Sequence, residues 1–257
     1  MIKRKGIPKA IIFLSLGVIL LSATLFVIID LRNWFGLGTA FSRHFFWNWY
    51  GEGGPIELLQ YMSLGAASVL FAYNSGRTRQ TDALQSRFSI IMAFALCMML
   101  IEDAGNPRHE IRGWVEFIFS EEHYGVFGTL TELLYFAVLA SIPIFALLVY
   151  GRKMKAHLKP LAFLLVGFAA YGIAVSLSFI GSAFEGVLDT STYALLGDSL
   201  KQFSIAISDG GLEEYWHEGV PFRLMDGMVE ESIELFGAMS LLAASFSFLH
   251  HSSERGN

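Results

Sequence analysis

The sequence contains little charge and almost no cysteine. Asp, Glu, Lys and Arg make up 16% of its 257 residues, against about 25% in an ordinary soluble domain. Cys97 is the only cysteine, which excludes an intramolecular disulfide and a redox site built on a cysteine pair. Because methionines and aliphatic residues flank Cys97, we expect it to be a small buried side chain.

Several catalytic motifs are also missing. The chain has no G-x-x-x-x-G-K-[ST] phosphate-binding loop and no G-x-S-x-G nucleophile motif. Its long apolar segments contain no lysine for a retinal Schiff base and no central histidine for a haem. A late H-x-x-x-H pattern, as in membrane metallohydrolases of the ceramidase kind, is absent as well. The sequence therefore points to no particular reaction.

Apolar residues, in contrast, are abundant. They account for 54% of the chain, and the mean hydropathy is +0.50. A soluble globule of this size could not bury that much apolar surface. Six segments approach or reach the roughly 20 helical residues that cross a bilayer core: Ala10–Ile29, Ile56–Tyr73, Phe88–Asp103, Val126–Tyr150, Leu161–Ile180 and Gly227–Leu249. We predict an all-α polytopic membrane protein, with residues 1–257 forming one integral membrane domain.

The distribution of charge predicts the orientation. With both termini in the cytoplasm, twelve of the eighteen basic residues fall on the inner side, as the positive-inside rule requires. Of the 23 acidic residues, 21 then lie on the outer side or in the outer half of the membrane. Such a face attracts cations and repels nucleic acid.

An internal repeat relates the second and last spans. Residues 56–72 align without gaps to residues 233–249, with ten identities in seventeen positions that include Glu57 and Glu234. The fourth span matches more weakly through Glu132. We predict three tandem helical hairpins related by a pseudo-threefold axis along the membrane normal. Amphipathic helices that converged without a common origin are the alternative.

The predicted outer connections contain further helices. Apolar residues recur at helical spacing in 109–120 and in 192–207. We expect both segments to be amphipathic helices lying in the membrane interface. All five tryptophans fall in the outer connections, as in an aromatic belt.

Acidic residues within or next to the predicted spans are the main candidates for a functional site. A charge in the hydrocarbon is costly, so such groups must line the bundle interior, face a hydrated cavity or carry a proton. We predict an outward-facing acidic vestibule that binds a cation or protons, with Glu57, Glu132 and Glu234 converging in it. The candidate residues are Glu57, Glu102, Asp103, Glu132, Glu185, Asp226, Glu230, Glu231 and Glu234.

Pairing with arginine is the structural alternative for these acids. The outer arginines are Arg32, Arg43, Arg108, Arg112 and Arg223. Together with Lys201 they make six outer basic residues, too few to neutralise 21 acids. Some acids must then be protonated, hydrated or bound to a cation.

Histidines give a weaker metal signal. His109, His123 and His217 lie in the outer connections, but none belongs to a helical metal-binding pattern. We predict no resident cofactor, although these residues and the acids could bind a divalent cation.

Two helix starts carry a resemblance. Residues 51–57, Gly-Glu-Gly-Gly-Pro-Ile-Glu, and the Glu230-Glu231-x-x-Glu234 pattern resemble multi-pass bacterial inner-membrane proteins that have no assigned activity. Such proteins often carry Asp where this sequence has Gly53. The resemblance implies a location in the bacterial inner membrane and no mechanism.

Three classes of function remain open. Cation or proton binding and transport explains the acidic vestibule most directly. A metal-dependent membrane enzyme would use the same acids together with the three histidines. A structural or accessory subunit would instead bind a membrane partner, or a second copy of the chain, through the aromatic outer surface.

Overall fold

The computed structural model describes residues 6–32, 49–51, 53–118, 124–151, 154, 158–183, 192–207 and 224–255. Within these ranges the chain is almost entirely helical, and none of the described residues belongs to a strand. Six of the helices are long and apolar enough to cross a membrane. The prediction of a polytopic all-α membrane protein is therefore confirmed.

Eight α-helices and two π-helical segments make up the described chain. The α-helices are α1 (Ile7–Phe26), α2 (Pro55–Thr78), α3 (Ala83–Gly105), α4 (Pro107–Ile118), α5 (Tyr124–Tyr150), α6 (Leu158–Ala183), α7 (Thr192–Ile207) and α8 (Glu231–Arg255). The π-helical segments are Val27–Leu31, which continues α1, and Leu224–Glu230, which leads into α8. The first segment contains one acidic residue, Asp30, and the second contains Asp226 and Glu230.

The helices extend beyond the predicted apolar segments because polar residues stabilise their ends. At the start of α3, the Asp82 carboxylate accepts hydrogen bonds from the backbone N–H groups of Leu84 and Gln85. At its end, Asn106 adopts a left-handed conformation with φ 45°, and its N–H donates to the carbonyl of Glu102. Hydropathy alone could not place these ends.

The chain divides into two compact units. The first unit comprises Met1–Ile12, Tyr61–Ala169 and Gly237–Asn257. Within it α5 packs against both α3 and α4. α2 runs antiparallel to α3, because the contacts Ser68–Ala93 and Asn74–Ser89 step in opposite directions along the two helices.

α2 and α8 are parallel neighbours in the first unit. The Ser63 hydroxyl donates to the Met239 sulfur at 3.3 Å, and the Phe71 and Phe248 rings pack at a centroid distance of 5.6 Å. Residue numbers increase in the same direction along the two helices, so the helices are parallel. Phe71 and Phe248 also occupy equivalent positions in the sequence alignment of residues 56–72 with 233–249. The contact is compatible with the repeat, which itself stays a prediction.

The second unit comprises Phe13–Gln60 and Ala170–Phe236. In this unit α7 contacts both π-helical segments. Helix α7 has the predicted bounds, and its apolar side chains Leu196 and Phe203 are exposed while Ser204 is buried. That exposure fits a helix whose apolar side meets lipid, but its depth relative to a membrane stays a prediction.

Two expectations about packing have different outcomes. The small residues Ala174 on α6 and Ala244 on α8 are fully buried, as close helix packing requires. The expectation that Cys97 is buried is wrong, because the side chain is exposed. Cys97 lies on the side of α3 that also exposes Phe94, so the amphipathic pattern of this highly apolar helix gave no guide to its buried face.

Candidate functional site

The described acids separate between the two units. Glu102, Asp103 and Glu132 belong to the first unit, whereas Glu57, Glu230, Glu231 and Glu234 belong to the second. Glu185 lies outside the described residues, and so does the side chain of Asp226. The convergence of Glu57, Glu132 and Glu234 on one axis remains a prediction.

Glu102 lies near the end of α3 and is buried. The Tyr135 hydroxyl on α5 donates to its Oε2 at 2.5 Å, and Arg108 Nε on α4 lies 3.8 Å from its Oε1. The Arg108 guanidinium also lies over the Phe136 ring, 5.1 Å from the centroid, at a distance suited to a cation–π interaction. Glu102 thus contacts a hydroxyl and a guanidinium, and an aromatic ring packs against that guanidinium.

Glu132 has a closer arginine partner. Arg112 Nη1 donates to Glu132 Oε1 at 3.1 Å, and the side chains are 34% and 6% exposed, respectively. Arg108 and Arg112 stand one turn apart on α4, as Phe136 and Glu132 do on α5. Because Arg108 meets Phe136 and Arg112 meets Glu132, α4 runs antiparallel to the start of α5. For Glu102 and Glu132 the structure shows the alternative explanation, contact with an arginine of the predicted outer side.

Asp103 contacts α2 through its backbone carbonyl. The Tyr61 hydroxyl of α2 donates to the Asp103 carbonyl oxygen at 2.9 Å. This bond ties the end of α3 to α2 and leaves the carboxylate out of that contact. Asp103 therefore has a packing role at the helix end in addition to its charge.

Glu57 closes the start of its own helix. The Gly53 N–H donates to Glu57 Oε2, in the manner of a capping carboxylate three residues into a helix. Gly53 has a positive φ of 72°, which favours glycine. A Cβ on Gly54 would lie 2.7 Å from the Trp49 carbonyl oxygen. Backbone geometry thus requires glycine at positions 53 and 54 of the motif, a reason that the resemblance could not supply.

Glu231, the first residue of α8, is held by an amide. Gln60 Nε2 on α2 donates to both the backbone carbonyl and Oε2 of Glu231, each at 2.9 Å. Gln60 is itself buried. The start of α8 is therefore attached to α2 by a neutral donor that orients the carboxylate. The sequence comparison missed Gln60, since its equivalent in the last span is Gly237.

Trp49 and Tyr50, which precede α2, lie next to α1 in the second unit. Trp49 Nε1 donates to Ser22 Oγ at 2.7 Å. Tyr50 is 4% exposed; burial raises the pKa of its hydroxyl, and the nearby polar side chains of Ser22 and Ser232 offset part of that rise. Trp49 thus anchors the residues before α2 to α1, in addition to its predicted place in an outer connection.

Sequence reasoning also missed the buried hydroxyls of the first unit. Asn74 Nδ2 on α2 donates to Ser89 Oγ on α3 at 3.0 Å, which joins two helices inside an apolar environment. Ser240 on α8 is fully buried, and its hydroxyl has no hydrogen-bond partner among the described residues. The same is true of Ser15 on α1, which belongs to the second unit. The sequence signal that could have indicated buried hydroxyls is the recurrence of two serines at equivalent positions of residues 56–72 and 233–249.

A metal centre is not assembled by the described part of the chain. Within it no three His, Cys, Asp or Glu side chains form a group that could hold one metal ion. His123 and His217 lie outside the described residues, as does the side chain of His109. The metal-site prediction for these histidines therefore stays untested.

Comparisons with known proteins add no further assignment. No protein-family model matches the chain. No curated protein and no solved structure matches it either.

Proposed function

We propose that this protein binds and transports a small cation or protons through the acids at the starts of α2 and α8. Those acids are Glu57 on α2 and Glu231 and Glu234 on α8, with Glu230 at the end of the preceding π-helical segment. Cation attraction follows from carboxylates placed at the membrane-spanning helix ends.

The observation that carries the proposal is how the outer arginines are used. Six outer basic residues face 21 acids in the predicted topology. Arg108 and Arg112 contact Glu102 and Glu132 in the first unit. Only four basic residues then remain for the other outer acids, so a large negative charge persists whichever acid each of them contacts.

Two contacts in the second unit further support the proposal. Gln60 donates to Glu231, and a backbone N–H donates to Glu57. Neutral donors orient a carboxylate without cancelling its charge. These contacts hold both carboxylates in fixed positions at the starts of α2 and α8.

Flux measurements in vesicles test the proposal. The purified protein is placed in liposomes that contain a pH-sensitive or a sodium- or potassium-sensitive dye, and a gradient of each ion is imposed in turn. We expect flux above that of protein-free vesicles, and we expect Glu231→Gln and Glu234→Gln to reduce it. Glu110→Gln, which changes an exposed acid on α4, is the matched control and should leave the flux unchanged.

Two results would overturn the proposal. One is a wild-type protein whose vesicles take up no more of any tested ion than protein-free vesicles. The other is flux that survives both substitutions on α8, because the charge of these acids would then have no part in it.

A further inference from the structure

The exposed side of α3 begins with an arginine. Arg87 is exposed, and Ile90, Phe94 and Ile101 follow it by three, seven and fourteen residues. These apolar side chains are 50%, 56% and 49% exposed, respectively. The spacing places all four residues on one side of the helix. Since α3 is long and apolar enough to span a membrane, this side is an apolar surface of the kind that meets lipid, with a guanidinium near its end.

Arg87 lies close to one surface of the membrane. It is the fifth residue of the candidate span Ala83–Gly105, about 6 Å along the helix from the first residue. An arginine at that depth keeps its aliphatic part beside the hydrocarbon and extends its guanidinium to the headgroups. Lipid phosphates are the anions at this level, and a guanidinium can donate two parallel hydrogen bonds to a phosphate.

The turn between α2 and α3 holds this end of the helix in place. The Asp82 N–H donates to the Thr78 carbonyl oxygen at 2.8 Å. One turn farther into the helices, the Ser86 hydroxyl of α3 donates to the Ser75 carbonyl oxygen of α2 at 2.9 Å. Arg87 is therefore carried by a helix end whose position is fixed by hydrogen bonds.

This end of the α2–α3 pair is positively charged. Between residues 58 and 101 the chain contains three arginines, Arg77, Arg79 and Arg87, and one acid, Asp82. All three arginines are exposed, whereas the Asp82 carboxylate accepts hydrogen bonds from the backbone at the start of α3. Positive charge thus lies next to the apolar surface of α3. An anionic phospholipid has the complementary arrangement, a negative headgroup followed by acyl chains.

We propose that this end of α3 binds an anionic phospholipid, with the headgroup phosphate at Arg87 and an acyl chain along Ile90 and Phe94. Arg79 adds positive charge at the membrane surface, which favours an anionic lipid over a zwitterionic one. The proposal is independent of the proposed ion transport, because it involves none of the acids assigned to that function.

Native mass spectrometry tests the proposal. The protein is released from detergent micelles containing equal amounts of phosphatidylglycerol and phosphatidylcholine with identical acyl chains. We expect the wild type to retain phosphatidylglycerol in preference. Arg87→Gln should lower the affinity for this lipid about tenfold, the equivalent of one hydrogen bond to a charged group. Lys201→Gln, which removes one positive charge from α7, is the matched control and should bind phosphatidylglycerol as the wild type does.

Thermal unfolding provides a second measurement. Added phosphatidylglycerol should raise the melting temperature of the wild type more than that of Arg87→Gln, because a ligand stabilises the folded state that binds it. Without added lipid the two proteins should melt at the same temperature, since Arg87 is exposed.

Three results would overturn the proposal. The first is equal retention of the two lipids by the wild type, or equal affinity of the wild type and Arg87→Gln for phosphatidylglycerol. The second is a loss of affinity in Lys201→Gln as large as that in Arg87→Gln, because binding would then depend on net charge alone. The third is conversion of a dimer into a monomer by Arg87→Gln, which would show that this side of α3 contacts a second copy of the chain.

Discussion

The two residues of the Arg112–Glu132 pair differ in how deeply they are buried, so replacing one should cost more stability than replacing the other. Glu132 is almost completely buried, whereas the Arg112 side chain is 34% exposed. Arg112→Gln would leave a carboxylate buried without this arginine, and Glu132→Gln would leave a guanidinium that can turn towards water. Loss of one partner of a buried pair costs about 3–5 kcal/mol, and loss of a hydrogen bond to a charged group costs about 1.5–3 kcal/mol. We therefore expect about 3 kcal/mol for Arg112→Gln and about 1.5 kcal/mol for Glu132→Gln.

Thermal unfolding in detergent measures this difference. A loss of 1.5 kcal/mol corresponds to roughly 3–6 °C in melting temperature for a chain of this size. The double variant should be more stable than Arg112→Gln alone, because no charge is left without its partner. Glu110→Gln on the same helix should change the melting temperature little. Equal losses for the two single variants, or a double variant whose loss is their simple sum, would refute the reasoning.

Three further predictions follow from other parts of the structure. Gly167→Ala should lower the melting temperature, because the new Cβ would lie 2.6 Å from the Leu241 side chain and 3.0 Å from the Gly237 carbonyl oxygen; the neighbouring Gly172, with open space around it, provides the control substitution, and equal melting temperatures would contradict the close contact. The raised pKa of Tyr50 predicts that stability falls above about pH 10, where the unfolded chain releases this proton more readily than the folded chain does. Unfolding curves should show a smaller fall for Tyr50→Phe, and an unchanged pH dependence would exclude that cause. Elemental analysis of the purified protein should find no stoichiometric zinc, manganese or iron, and finding one would favour the metal-dependent enzyme.

Much of the helical architecture could be predicted because lipid imposes a strong and simple constraint. An apolar run of sufficient length must be helical in a bilayer, since its backbone groups have no other hydrogen-bond partners. The segment Val126–Tyr150 was therefore found almost to its ends, as α5 shows. The helix over 192–207 was also identified from its 3.6-residue periodicity.

Side-chain partners were predicted less well, because they depend on which helices become neighbours. Charge type indicated that arginines would meet acids, yet nothing in the sequence singled out Arg112 for Glu132. The exposed side of α3, on which Cys97 lies, could not be predicted either, because this helix has apolar residues on nearly every side. The contact of Gln60 with Glu231 was not predicted, because the residue aligned with Gln60 in the last span is Gly237. The comparison of the two spans therefore gave no reason to select Gln60.

The α2–α8 contact has a consequence for how the chain is made. Phe71 and Phe248 pack directly against each other, although α3, α4, α5, α6 and α7 lie between their two helices along the chain. Until α8 has entered the bilayer, the fully buried faces of Phe71 and Phe88 lack the ring that packs against both. The first unit thus acquires this contact only after α8 has been synthesised. In a chain that stops before α8, the buried faces of α2 and α3 would be open to lipid or to chaperones.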